Sequence, residues 1–265
     1  MAYDSVVDSA VLDGAMTATA NAIREKTGIS EQIAWDRTNG FKDSVDEVYE
    51  AGKKSEWDKF WDAYQNYGNR TNYAFAFSGV GWTTENLKPK YNIVATNYNL
   101  AFRDFPIAFN ISDFFFEQGI MLDFSKCTVF SEMLLFSKIN GIGIVDTRSA
   151  NNINYAFSNA TALETIRLLI LKDDGSQSLS SSFNNCLSLK NITIQGIIGA
   201  DVSFSASTLL TKDSITNIVN ALSTTTTGKT LTLSKTAVDN AFGGSTSAEW
   251  LALRETRSNW TIALA

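Results

Sequence analysis

Apolar residues return at every third position behind a leading phenylalanine in two stretches of the chain. Phe157, Ala160, Leu163 and Ile166 form one ladder, and Phe183, Cys186, Leu189 and Ile192 form the next. Weaker relatives begin near Phe75, Phe102, Phe136 and Phe204, giving spacings of 27, 34, 21, 26 and 21 residues. Self-similarity on this scale predicts units that bury their apolar edges only against their neighbours, hence a solenoid whose working part is an extended surface rather than a pocket. The β-prone runs 165–171 and 191–198 predict one short strand per unit. Asn-Tyr-Ala-Phe occurs at both 72–75 and 154–157. From Phe124 to Val145 every third residue is apolar, so the pattern there leaves the register between Phe102 and Val145 open.

The pattern changes on both sides of this region. Residues 1–70 read as helical, with one segment over 9–26 that stops at Gly28 and a second over 41–65. In the second, Trp57, Phe60, Trp61 and Tyr64 share one helical face. That stripe reads as a cap on the first repeat, with a ligand-stacking platform as the alternative. Near the other end, Thr211 is placed to cap a helix bearing Ile215, Ile218, Val219 and Leu222 at helical spacing. Residues 230–234 alternate as a strand, Thr246 and Glu249 form a capping-box pair, and Trp260, Ile262 and Leu264 alternate to the end. The expected organisation is therefore α+β: a helical N-terminal segment (1–70) for docking or capping, an irregular repeat solenoid (71–210) and a C-terminal α/β cap (211–265). One elongated chain is expected.

Composition narrows the chemistry. The chain has no His, which removes the commonest general base and transition-metal ligand. Its two cysteines, Cys127 and Cys186, are far apart and read as buried free thiols. Of the net charge of -6, most lies in residues 1–70, which carry 13 acids against 8 bases. An acidic chain without a basic stripe argues against nucleic acid. No run of eighteen apolar residues predicts a membrane span, and the first residues do not read as a secretory signal. Asp43, Asp46 and Glu47 read as a solvated helical face, and Asp173-Asp174-Gly175 as a turn. Asp123, Asp146, Glu164 and Asp201 are scattered, so no catalytic residue, metal ligand or cofactor site is expected.

The Phe-x-x-Cys/Ala-x-x-Leu-x-x-Ile units at Phe157 and Phe183 resemble the BspA-like leucine-rich repeats, a bacterial class common on adhesins. Three stretches are similar to proteins encoded by phages and prophages of Gram-positive gut bacteria: residues 22–28, residues 60–64 through 79–82 and 88–93, and residues 228–233. That resemblance implies a leucine-rich-repeat fold and a virion structural protein of the tail, fibre or baseplate region. Its partners would be other virion proteins or a host cell-surface receptor, and homo-oligomerisation is implied by analogy with symmetric fibres. It supplies no catalytic residues. A surface or secreted adhesin is the alternative reading, and a cell-wall or polysaccharide hydrolase the third. An unexported virion protein, made in the host cytoplasm, fits the expected lack of a signal.

Overall fold

The computed structural model describes residues 92–265 throughout, together with residues 73, 76–79, 82–84, 87 and 89. Its contacts divide the chain into two units, Met1–Tyr64 and Gln65–Ala265, and every element described belongs to the second. The helical reading of residues 1–70, the stripe Trp57, Phe60, Trp61 and Tyr64, and Phe75 lie outside the described residues.

Among the described residues the structure is mixed α/β, with small parallel sheets and no closed barrel. Strand β1 (Ile93–Val94) pairs with β2 (Leu122–Asp123). Strands β3 (Gly141–Asp146), β4 (Thr165–Ile170) and β5 (Asn191–Gln195) form a central sheet in chain order. Strands β6 (Val202–Phe204), β7 (Lys229–Leu233) and β8 (Trp260–Leu264) form the third sheet. All these pairings are parallel. Four helices accompany them: α1 (Ile111–Glu117), α2 (Lys212–Ala221), α3 (Lys235–Phe242) and α4 (Ala248–Glu255).

Parallel strands need a crossover, and between β3, β4 and β5 that crossover is the Phe-led turn. The register places Ile142 beside Ile166 and Ile166 beside Ile192, all three buried. The turns stack as well as the strands. Phe157 lies against Phe183 with ring centroids 5.4 Å apart, and Phe183 against Phe204 at 4.4 Å. At the other end Phe77 stacks on Phe102 at 4.7 Å.

Backbone hydrogen bonds between turns fix the register that the sequence left open. The N–H of Phe77 bonds to Ala101 O, that of Phe102 to Met133 O, that of Leu134 to Ala156 O, and that of Phe157 to Ser182 O. The equivalent core positions are therefore Phe77, Phe102, Leu134, Phe157 and Phe183. Of the starting points read from sequence, Phe136 is thus displaced by two residues from Leu134, and the earliest described turn is centred on Phe77. Tyr73 consequently is not the equivalent of Tyr155, although both follow Asn in an Asn-Tyr-Ala-Phe run. A further buried position stands four residues earlier in each turn: Tyr73, Tyr98, Phe130, Ile153 and Leu179. Tyr98 stacks between Tyr73 (6.0 Å) and Phe130 (6.3 Å).

A helix packs along part of each edge of the central sheet. On one side α1, capped by Asn110, brings Ser112 to accept the Gly143 N–H at 2.8 Å. A Cβ on Gly143 would lie 2.9 Å from the Ser112 Cβ, so only glycine fits there. Asp113 on the same helix reaches Arg167 on β4 at 2.7 Å. On the other side α2 takes the place where the next strand would pair. Ser214 Oγ accepts the Ile192 N–H at 3.0 Å and lies 3.0 Å from the Lys190 carbonyl. Thr211 caps this helix as the sequence predicts, and Ile215, Ile218 and Val219 are buried. Helix α4 begins one residue later than its expected cap: Ser247, rather than Thr246, accepts the Trp250 N–H.

Candidate functional site

The repeat-core residues singled out from sequence, Phe157, Leu163, Ile166, Phe183, Cys186, Leu189 and Ile192, are all buried. They position a surface instead of forming one. Each turn carries two residues in the left-handed backbone region, four apart and flanking the central core residue: Leu100 and Asp104, Glu132 and Phe136, Tyr155 and Asn159, Ser181 and Asn185. Hydrogen bonds from turn to turn set these residues side by side. The Glu132 N–H bonds to Asn154 O, the Phe136 N–H to Ser158 O, the Tyr155 N–H to Ser180 O, and the Asn159 N–H to Asn184 O.

Two columns result along the turn edge. One runs Leu100, Glu132, Tyr155, Ser181, and the other runs Asp104, Phe136, Asn159, Asn185. Gly79, with φ +98° and its N–H on Arg103 O, continues the second column on the earlier turn. Side chains bond along the columns too, since Asn185 Nδ2 donates to Asn159 Oδ1 at 2.8 Å. Asn154 links the same turns, accepting from the Ser180 N–H at 3.0 Å. Within this polar edge two aromatic rings stand out to solvent, Phe136 at 51% exposure and Tyr155 at 47%.

The edge leads into an open, mainly polar groove of about 440 Å³. One wall is the turn Ser178, Ser180, Ser181 and Asn184, and the floor comes from Asp201, Ser203, Thr230 and Thr232. The floor follows from strand alternation. Val202, Phe204, Leu231 and Leu233 point inward, which turns Ser203 and Thr232, partners in the register, to the other face. Asp201 is held in place by the Thr230 N–H at 2.7 Å, with Lys229 Nζ at 3.9 Å from its other oxygen.

The scattered acids are engaged locally. Asp146 takes a two-point contact from Arg148 at 3.0 and 2.7 Å, and that hydrogen bonding holds its carboxyl below the usual range. Glu164 pairs with Lys190 at 2.8 Å, and Asp123 accepts the Ser125 N–H at 2.8 Å. The segment 173–175 forms a turn, with Asp174 accepting the Ser176 N–H and Gly175 at φ +67°. Both cysteines are buried free thiols. Burial pushes the Cys127 thiol up to about 11 and the Cys186 thiol up to about 12.

Sequence reasoning missed the turn edge because its signal is conformational. Asp, Asn and Gly tolerate positive φ, and their recurrence two residues after Phe77, Phe102, Phe157 and Phe183 was the available clue. It also missed α1 and α3, whose caps Asn110 and Ser234 accept hydrogen bonds from the first turn of each helix. No helix among the described residues is long and apolar enough to cross a membrane, and no group of three or more His, Cys, Asp or Glu among them could hold a metal ion. A scan against protein-family models gives no match, and no curated protein or solved structure matches the chain.

Proposed function

We propose that the chain is an irregular leucine-rich-repeat solenoid that serves as a structural protein of a phage virion, in the tail, fibre or baseplate region. It acts by binding, with the turn edge as its contact surface towards other virion proteins or a host receptor. The observation that carries this reading is the pair of aligned left-handed columns. They hold one row of side chains per turn at fixed spacing over a continuous buried interior, so the edge residues can vary without disturbing the core. The resemblance of residues 22–28, of 60–64 through 79–82 and 88–93, and of 228–233 to phage and prophage proteins is what suggests the virion context. Asp123, Asp146, Glu164 and Asp201 each face a cation or a backbone N–H, an arrangement that suits structure better than proton transfer.

Mass spectrometry of purified particles tests the reading, together with deletion of the gene. Particles should contain the chain in fixed proportion, and deletion should lower infectivity or strip further components. Fully infectious particles of otherwise normal composition would refute it. The BspA-like character of the ladders at Phe157 and Phe183 favours a second reading, a bacterial surface adhesin. Recovery of the chain from the surface of uninfected cells would select that one.

A further inference from the structure

We infer that the turn edge binds a neutral oligosaccharide, with Phe136 and Tyr155 as stacking platforms and the Asp201 groove as a hydrogen-bonding subsite. This deepens the reading of the edge as a contact surface and rests on it.

The first support is a conflict between residue type and backbone. In the second column the described turns place Gly79, Asp104, Asn159 and Asn185, residue types that adopt positive φ readily. The remaining member is Phe136 at φ 58°, where a bulky side chain is a conformational outlier. Tyr155, in the first column, sits at φ 57°, a state it shares with Leu100, Glu132 and Ser181, so exposure rather than residue type sets it apart there. Neither strained ring gains burial in return, since each remains about half exposed. An aromatic residue held in an unfavourable backbone state and turned to solvent serves something outside the fold.

The second support is what surrounds the rings. Phe136 lies beside Asn159, Tyr155 beside Ser181, and Asn159 bonds to Asn185. Ser181 and Asn184 then form the wall of the groove, whose floor presents hydroxyls from Ser203, Thr230 and Thr232 and the fixed Asp201 carboxylate beside Lys229. Rings followed by amides, hydroxyls and one balanced pair of charges match a ligand with apolar C–H faces and many hydroxyls. Pyranose chains have that character, whereas a polyanion would need clustered cations. At a rung spacing of about 4.8 Å, the path from Phe136 to the groove spans roughly 15 Å, the reach of a short oligosaccharide.

The test uses the full chain on an array of neutral hexose and N-acetylhexosamine oligosaccharides, with chondroitin sulfate oligosaccharides as the charged comparison and calorimetry on the best neutral binder. The decisive variants are Phe136→Asn and Tyr155→Asn, because Asn suits positive φ. Each should keep or raise the melting temperature while weakening binding about tenfold, and Tyr155→Phe should bind as the parent does. Asp201→Asn should weaken binding without unfolding. The inference is overturned if no neutral sugar binds, or if the Asn variants bind undiminished. It is also overturned if the chain adheres equally to untreated and periodate-oxidised Gram-positive cell wall, which would assign the edge to a protein partner. Particle composition is unaffected by these outcomes, so the virion reading stands or falls separately.

Discussion

Asn217 of α2 pairs with the backbone of Ile194 in both directions: its Oδ1 accepts the Ile194 N–H and its Nδ2 donates to the Ile194 carbonyl. A side-chain amide thereby stands in for the peptide group of a neighbouring strand. Leaving a partly buried N–H and carbonyl unpaired costs about 1–3 kcal/mol. Asn217→Ala is expected to lose that much stability in urea melts and to increase aggregation. A loss within a few tenths of a kcal/mol would show that water replaces the amide freely.

Phe183 is 1% exposed and lies between Phe157 and Phe204. Truncation to alanine removes the middle ring of a three-ring stack, and large-to-small changes of this kind cost about 3–5 kcal/mol. Denaturant unfolding measures the value. A cost well under 1 kcal/mol would mean that the stack closes up without it.

The raised thiols set an alkaline limit. With Cys127 pushed up to about 11 and Cys186 to about 12, the folded chain keeps both protonated where an unfolded thiol ionises, near 8.5. The unfolded state then binds fewer protons than the folded one. Stability contributed by these groups is therefore intact below about pH 8.5 and declines from there up to the folded values. A chromogenic thiol reagent at pH 8 should find no reactive thiol in the native protein and two after unfolding. Rapid native labelling would contradict the burial.

Residues 211–265 supply α2, which covers β5, and β7, which pairs with β6. Their removal should bare the β5 edge and the apolar side of β6, and the fragment should aggregate. Size-exclusion chromatography and thermal melts check this. A monomeric fragment with a cooperative transition would contradict the account.

Much of this fold is legible in the chain because a parallel strand behind a Phe-led turn needs only period-three apolar spacing and a β-prone run. The runs 165–171 and 191–198 contain β4 and β5, and the alternation of Trp260, Ile262 and Leu264 marks β8. Phe136 misled because a phenylalanine resembles a core residue, whereas here Leu134 fills the core and Phe136 sits at a left-handed position outside it. The repeated tetrapeptide misleads in the same way, because identical residues suggest equivalent positions while Tyr73 stands where Ile153 does. Capping residues exposed a similar ambiguity, since Thr246 and Ser247 are adjacent hydroxyls and only geometry decides between them. The contact surface was least visible of all, since φ is not written in hydrophobicity.

Ser112 on one side and Ser214 with Asn217 on the other occupy backbone groups of Gly143, Ile192 and Ile194 that a foreign strand would otherwise pair with at the margins of the three-stranded core. Copies of this chain packed closely together therefore find fewer open backbone groups there, and crowding is less able to convert the central sheet into a shared one.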